Sequence, residues 1–146
     1  MAGIRVLFLC TGNSARSILA EASLKHIGGD AFEVYSAGTS PKGVNPYALA
    51  VMADDGIDAS GATSNSVTEF EGQAFDYVIT LCDDAAENCP IFWGGSEYLH
   101  WGLEDPAAVE GTDMEKKAAF QAVLNGLRTR LDLFVVTARR VKESAR

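Results

Sequence analysis

Residues 4–17 read IRVLFLCTGNSARS, and this stretch decides the fold. The apolar run Ile4–Leu9 is short and bounded by turn residues, which predicts a buried strand. Small polar residues follow, and a helix is predicted over Arg16–Ile27, ending at Gly28 and Gly29. Where a strand turns sharply into a helix, backbone N–H groups converge and the helix N-terminus adds partial positive charge. The stretch therefore predicts a loop that binds a tetrahedral oxyanion.

Cys10 and Arg16 give this loop its chemistry. A guanidinium presents a planar fork that grips two oxyanion oxygens, and its charge favours the thiolate, the nucleophilic form of cysteine. We expect Cys10 to be the nucleophile. The expected oxyanion-binding residues are Thr11, Gly12, Asn13, Ser14, Ala15, Arg16 and Ser17. The alternative is a buried cysteine at a strand end, followed by an ordinary polar turn.

The chain has 146 residues, 47% of them hydrophobic, and a formal net charge of −8. Its length and even composition predict a single domain over residues 1–146. The acidic excess disfavours nucleic acid and anionic membrane as partners, so a bound anion must be held by local geometry.

No apolar run approaches the roughly 20 residues that span a bilayer, and the first strand begins too soon after Met1 for a cleaved signal peptide. We therefore expect a cytoplasmic protein. Nothing in the sequence indicates an obligate dimer, so a monomer is expected.

Strand-like and helix-like segments alternate along the chain. Further strands are predicted over Ala31–Tyr35, Phe75–Leu81 and Glu97–Trp101. One further helix is predicted after the N-cap Asn45, ending near Gly56, and the last follows a Thr112–Glu115 capping box and continues to Val141. This alternation predicts an α/β fold, with a four-stranded parallel sheet and helices on both faces. Ligands of such sheets bind beyond the carboxyl ends of the strands.

The three cysteines indicate thiol chemistry. No CxxC pair or histidine ladder accompanies Cys10, Cys82 and Cys89, so a zinc site is disfavoured. Cys10 and Cys82 each follow a predicted strand directly, which places both at one edge of the sheet. The alternative for Cys82 is a packing residue at a strand end. Because a disulfide needs its Cα atoms about 4.4 to 6.8 Å apart, a Cys82–Cys89 bridge requires the intervening loop to fold back.

Asp105 is the candidate proton donor. It lies in the segment His-Trp-Gly-Leu-Glu-Asp-Pro, residues 100–106, after the fourth predicted strand and at the same edge of the sheet. A carboxylic acid near a bound oxyanion can protonate the departing oxygen as a general acid. The alternative is an ordinary Asp-Pro turn.

Several motifs together resemble those of a known family. They are Cys-Thr-Gly-Asn-Ser at 10–14 with Arg16 and Ser17, Tyr-Ser-Ala-Gly at 35–38, Gly-Val-Asn-Pro at 43–46, Leu-Cys at 81–82, Asn-Cys-Pro at 88–90, and His-Trp-Gly with Asp105-Pro106. The cradle and the Asp-Pro turn resemble the low-molecular-weight protein tyrosine phosphatases. With Cys82 and Cys89, the chain resembles the thioredoxin-coupled arsenate reductases built on that fold.

The resemblance implies that the protein reduces arsenate by a relay of three thiols and that its biological role is arsenic detoxification. Cys10 would attack arsenate, helped by Arg16 and Asp105. A transient Cys10–Cys82 disulfide would then pass to Cys82–Cys89, which thioredoxin reduces. Phosphate and sulfate would compete as oxyanions, and no tightly bound cofactor is implied.

The sequence departs from the pattern of this family in two ways. Relatives can bind potassium through residues matching Asn13, Glu21, Ser36 and an aspartate, and here the last position is Asn65, which removes a negative ligand. A weak potassium site at these four residues is the corresponding expectation. The tandem tyrosines of many phosphatases are replaced by Ala107 and Ala108, which weakens the phosphatase reading.

Two other functions stay open from the sequence. A tyrosine phosphatase would need Cys10, Arg16 and Asp105 but neither of the other thiols. A non-catalytic redox switch or anion-binding module would use the same thiols without turnover.

Overall fold

The computed structural model describes residues 3–82 and 96–144. The strands are β1 (Ile4–Cys10), β2 (Phe32–Gly38), β3 (Tyr77–Thr80) and β4 (Glu97–His100). The α-helices in this part of the chain are α1 (Arg16–Gly28), α2 (Pro46–Asp54) and α3 (Asp113–Ser144). Short 3₁₀ helices lie at Gly29–Ala31, Val67–Phe70 and Pro106–Ala108.

The four strands form one parallel sheet in the order β2-β1-β3-β4. β1 is central, and its residues from Val6 to Cys10 are buried because neighbouring strands and packed layers cover it on all sides. The predicted α/β class with a four-stranded parallel sheet is confirmed. Cys10 pairs with Gly38 at the end of β2, so the carboxyl ends of the strands meet at one edge.

Different parts of the chain cover the two faces of the sheet. Successive side chains of a strand point to opposite faces, so Phe32 and Tyr35 lie on different sides. The Phe32 ring packs on Phe134 of α3, with centroids 6.1 Å apart. The Tyr35 ring packs on Phe70 and Phe75, which belong to the 3₁₀ helix and the loop before β3.

The helix starts follow local sequence signals. The Asn45 side chain accepts a hydrogen bond from the Tyr47 N–H, and Pro46 occupies the first helical position. At α3, the Thr112 hydroxyl accepts from the Glu115 N–H while the Glu115 carboxylate accepts from Thr112. Both helices begin where the sequence predicts.

β2 is longer than the sequence predicts. It continues past Tyr35 to Gly38, because Phe8–Cys10 of the central strand offer partners to its last three residues. Gly38 is required there, since a Cβ atom at this position would lie 2.5 Å from the Thr11 carbonyl oxygen. Among the described residues, no helix has the length and apolar character needed to cross a membrane.

Candidate active site

The loop that joins β1 to α1 is braced by residues 39–45, the segment after β2. Four backbone N–H groups of that segment donate to carbonyl oxygens of residues 10–14, at 2.8 to 3.3 Å. The pairs run from Thr39 to Cys10, Ser40 to Thr11, Lys42 to Gly12 and Asn45 to Ser14. Within the described ranges, the backbone N–H groups of residues 12–15 donate to no protein atom. These N–H groups therefore stay available to an anion.

Asn13 holds the loop in its shape. Its φ of 42° lies in the left-handed region, which asparagine adopts more readily than most residues. The side chain is fully buried. It donates to the hydroxyls of Ser17 and Ser36, at 2.8 and 2.9 Å, and accepts from the Asn65 N–H. These hydrogen bonds offset the backbone strain and fix the loop for its ligand.

Ser17 is the polar neighbour of the candidate nucleophile. Its Oγ lies 2.9 Å from Cys10 Sγ, and both residues are buried. Because Asn13 Nδ2 already donates to this oxygen, the Ser17 hydroxyl proton is free to point at the sulfur. A hydroxyl that donates to sulfur stabilises the thiolate over the thiol.

Arg16 lies at the start of α1 and is held from the opposite side of the site. Its Nη1 donates to the Leu103 carbonyl oxygen at 3.1 Å, and its Nη2 lies 3.9 Å from the Asp105 carboxylate. Its Nε is buried and has no hydrogen-bond partner in the described part of the protein. A buried N–H without an acceptor is costly, and a bound oxyanion would satisfy it.

A cavity of about 330 Å³ opens over this loop. Asp105 lies in its wall, where the carboxylate caps the Pro106–Ala108 turn by accepting from the Ala107 N–H at 3.0 Å. The remaining lining residues are Cys10, Thr11, Gly12, Ser14, Ala15, Arg16, Lys42, Gly43, Val44, Asn45, Pro46 and Ala107. The loop thiol, the arginine and the acid thus share one solvent-accessible space.

Cys82 lies next to this loop. Its Sγ is 3.2 Å from the Oγ1 of Thr11, the residue that follows Cys10. Cys10 and Cys82 are both buried, and no disulfide joins them. Cys10 ends β1 and Cys82 lies just after β3, so both lie at one edge of the sheet, as the sequence predicts; the structure adds that the two strands are neighbours. Cys89, the third predicted thiol, lies outside the described residues.

The sequence matches a known protein family. Residues 5–145 match the family described as "Low molecular weight phosphotyrosine protein phosphatase". The chain belongs to this family. It is 45% identical to an arsenate reductase from Halalkalibacterium halodurans over 134 residues, covering 92% of this chain and 96% of that protein.

The fold of this phosphatase-family chain is also similar to solved structures of arsenate reductases. An arsenate reductase in the phosphate binding state aligns with a TM-score of 0.73 and 30% identity, covering 92% of this chain and 98% of that one. A thioredoxin-dependent arsenate reductase from Corynebacterium glutamicum aligns with a TM-score of 0.63 and 32% identity, covering 90% of this chain and 63% of that one. Within the phosphatase family, the chain groups with the arsenate reductases, which confirms the resemblance drawn from the motifs.

The residues of the expected potassium site lie together in one hydrogen-bonded network. Asn65 uses its side-chain NH₂ to donate to the Ser36 carbonyl oxygen at 3.2 Å, which a carboxylate could not do. The Glu21 carboxylate accepts from the Ser36 hydroxyl and pairs with Lys25 Nζ at 2.7 Å. Asn13 is satisfied by the contacts described above. Internal donors therefore contact oxygen atoms of Asn13, Glu21 and Ser36 in this member of the phosphatase family.

Sequence reasoning missed two contributors to the site. Leu103 acts only through its backbone carbonyl, which carries no side-chain signal. Lys42 lines the cavity and carries a positive charge. The sequence signal that could have identified it is its position directly before the Gly-Val-Asn-Pro motif at 43–46.

Proposed function

We propose that this protein reduces arsenate to arsenite through Cys10, Cys82 and Cys89, with thioredoxin as the external reductant. The observation that carries the proposal is the contact of Cys82 with Thr11 at the oxyanion loop. A phosphatase needs one thiol at such a loop, whereas a reductase needs a second thiol within reach of the first.

The first step forms a sulfur–arsenic bond. Arsenate would lie on the free N–H groups of residues 12–15 and on Arg16, whose buried Nε lacks a partner. The Cys10 thiolate attacks arsenic, and one arsenate oxygen leaves as water after receiving protons from Asp105 and solvent. Arsenic remains As(V) in this covalent adduct.

The second step transfers electrons. The Cys82 thiolate attacks Cys10 Sγ, and the pair of electrons of the sulfur–arsenic bond passes to arsenic. Arsenic leaves as arsenite, As(III), and a Cys10–Cys82 disulfide forms. The Cys89 thiolate then attacks Cys82 Sγ and releases the Cys10 thiolate.

The last step restores the three thiols. The dithiol of thioredoxin reduces the Cys82–Cys89 disulfide and becomes oxidised itself. Each turnover therefore consumes two electrons, one arsenate and two protons per arsenite and water. No tightly bound cofactor is needed, because thiols carry all the electrons.

A coupled assay tests the proposal. Arsenate, thioredoxin, thioredoxin reductase and NADPH are mixed with the wild type or with Cys10→Ser, Cys82→Ser or Cys89→Ser. Sustained NADPH loss is expected for the wild type only, and it stops when inorganic phosphate, which these thiols do not reduce, replaces arsenate. A Cys82→Ser protein that sustains the wild-type rate would remove the basis for the relay.

Phosphate monoester hydrolysis is the second candidate function. Cys10, Arg16 and Asp105 share one cavity, and these are the groups that such hydrolysis requires. As a weak side activity, hydrolysis of p-nitrophenyl phosphate is expected to survive Cys82→Ser and to disappear in Cys10→Ser. Loss of this activity in both variants would count against a shared loop.

A further inference from the structure

Among the described residues, the wall of the active-site cavity carries three charged side chains, Arg16, Lys42 and Asp105. Arg16 and Asp105 have opposite charges and lie 3.9 Å apart, so they largely cancel at a distance. Reaction requires Cys10 as a thiolate. Without Lys42, the lining would then carry net negative charge, in a protein whose formal net charge is already −8. Such a site would repel a dianion.

A backbone hydrogen bond fixes Lys42 in the lining of this cavity. Its N–H donates to the Gly12 carbonyl oxygen at 2.9 Å, so residue 42 keeps its register with the oxyanion loop. Its aliphatic stem lies over Gly12, where a Cβ atom would be 3.3 Å from Lys42 Cδ. Gly12 thus leaves space for the stem of this cavity-lining residue.

The Lys42 ammonium has no competing partner in the part of the chain that the structure describes. No carboxylate in residues 3–82 or 96–144 lies within ion-pair distance of it. This distinguishes it from Lys25 and Lys117, which pair with Glu21 and Asp54. An unpaired, exposed ammonium beside an anion-binding loop is available to the incoming ligand.

We infer that Lys42 captures the dianionic oxyanion and sets the preference of the site for charged substrate over neutral product. This inference rests on the proposed function and adds a substrate-selecting residue to it. Arsenate is an anion at neutral pH, whereas arsenous acid is uncharged. The ammonium therefore attracts the substrate without retaining the product. Lys42 acts on binding, and the chemical steps stay with the three thiols, Arg16 and Asp105.

Steady-state kinetics with arsenate test this role. Lys42→Gln is expected to lower kcat/KM about fivefold at low ionic strength, mostly through KM, and to flatten the dependence of kcat/KM on sodium chloride concentration. Lys42→Arg keeps the charge and is expected to retain both properties. Arg140→Gln is the matched control, because it removes the same charge from an exposed position of α3 away from the active site. Its neighbour Ala138 lines a different cavity together with Ile4, at the opposite end of β1 from the oxyanion loop.

A binding measurement separates this inference from the proposed function. Titration calorimetry of the reduced proteins with inorganic phosphate needs no turnover. Phosphate is expected to bind the wild type, Lys42→Arg and Arg140→Gln alike, and to bind Lys42→Gln about fivefold more weakly. Equal affinity of Lys42→Gln and wild type, or no phosphate binding at all, overturns the role of Lys42. Absence of arsenate turnover with the expected phosphate pattern overturns only the reductase proposal.

Discussion

Thr11 Oγ1 lies 3.2 Å from Cys82 Sγ, so the residue next to the nucleophile also contacts the second thiol. A hydroxyl in this position can stabilise the Cys82 thiolate. This contact links the oxyanion loop to the end of β3.

Thr11→Val keeps the shape of the side chain and removes its hydroxyl. We expect arsenate reduction to slow about fivefold, because one hydrogen bond of about 1 kcal/mol is lost. Hydrolysis of p-nitrophenyl phosphate should change much less, since it does not use Cys82. Thr129→Val, at an exposed position of α3, is the control. Equal slowing of both reactions would show that the Thr11 hydroxyl supports the oxyanion loop rather than the reaction of Cys82.

Ser17→Ala removes the hydroxyl that contacts Cys10 Sγ. Both arsenate reduction and p-nitrophenyl phosphate hydrolysis are expected to fall about tenfold or more at neutral pH, because hydrogen bonds to charged groups contribute about 1.5–3 kcal/mol. Ser23→Ala on the same helix is the matched control. Its hydroxyl is buried without a partner, so its removal should leave both rates unchanged. Rates for Ser17→Ala within twofold of wild type would contradict the role of Ser17.

Gly38→Ala tests the close approach of β2 to the oxyanion loop. A Cβ atom there would lie 2.5 Å from the Thr11 carbonyl oxygen and 2.8 Å from the Asn13 nitrogen. Urea denaturation should show a loss of about 1–3 kcal/mol in the free energy of unfolding, together with reduced activity. Gly61→Ala has open space around its Cβ and should behave like the wild type. An unchanged free energy of unfolding for Gly38→Ala would show that the oxyanion loop can move away from the added methyl group without loss of stability.

Potassium is not expected to affect this protein. The rate of arsenate reduction should be the same in potassium chloride and choline chloride at equal ionic strength, because internal donors occupy the oxygens around Asn13. Asn65→Asp removes the NH₂ donor and adds a negative charge, so this variant should respond to potassium. A potassium response of the wild type would show that the network opens to admit a cation.

Tyr47 joins α2 to α3 by donating a hydrogen bond to Asp113. This hydrogen bond, with smaller contributions from burial and the Asp113 charge, raises the pKa of Tyr47 above its usual 10.0. The resulting stabilisation is present below pH 10 and is lost as pH rises through the raised pKa. Tyr47→Phe should therefore be less stable than wild type at pH 8, with the difference shrinking above pH 10. Urea denaturation under reducing conditions measures both, and a constant difference would contradict the linkage.

The sequence predicted the parts of the site that depend on local pattern. The run Ile4–Leu9 and the helix beginning at Arg16 are read from hydrophobicity and turn residues, and their junction locates the oxyanion loop. The shared edge of Cys10 and Cys82 follows from parallel strands alone. These features need no knowledge of distant contacts.

What the sequence did not predict depends on contacts between distant residues. The extension of β2 to Gly38 arises from pairing with β1, although Ser36 and Gly38 have weak strand preference. The Leu103 carbonyl reaches Arg16 across 87 positions of the chain. The place of Lys42 in the cavity wall comes from a backbone N–H hydrogen bond, which any residue except proline could make.

The bracing of the oxyanion loop by residues 39–45 has a consequence for sequence variation. Surface connections usually tolerate insertions and deletions. Here four backbone donors match four carbonyl groups one to one, so shortening the segment by a single residue would shift every partner after the deletion. Relatives that keep the chemistry should therefore preserve the length of this segment, and should vary side chains only where they have no role of their own, unlike Lys42 and Asn45.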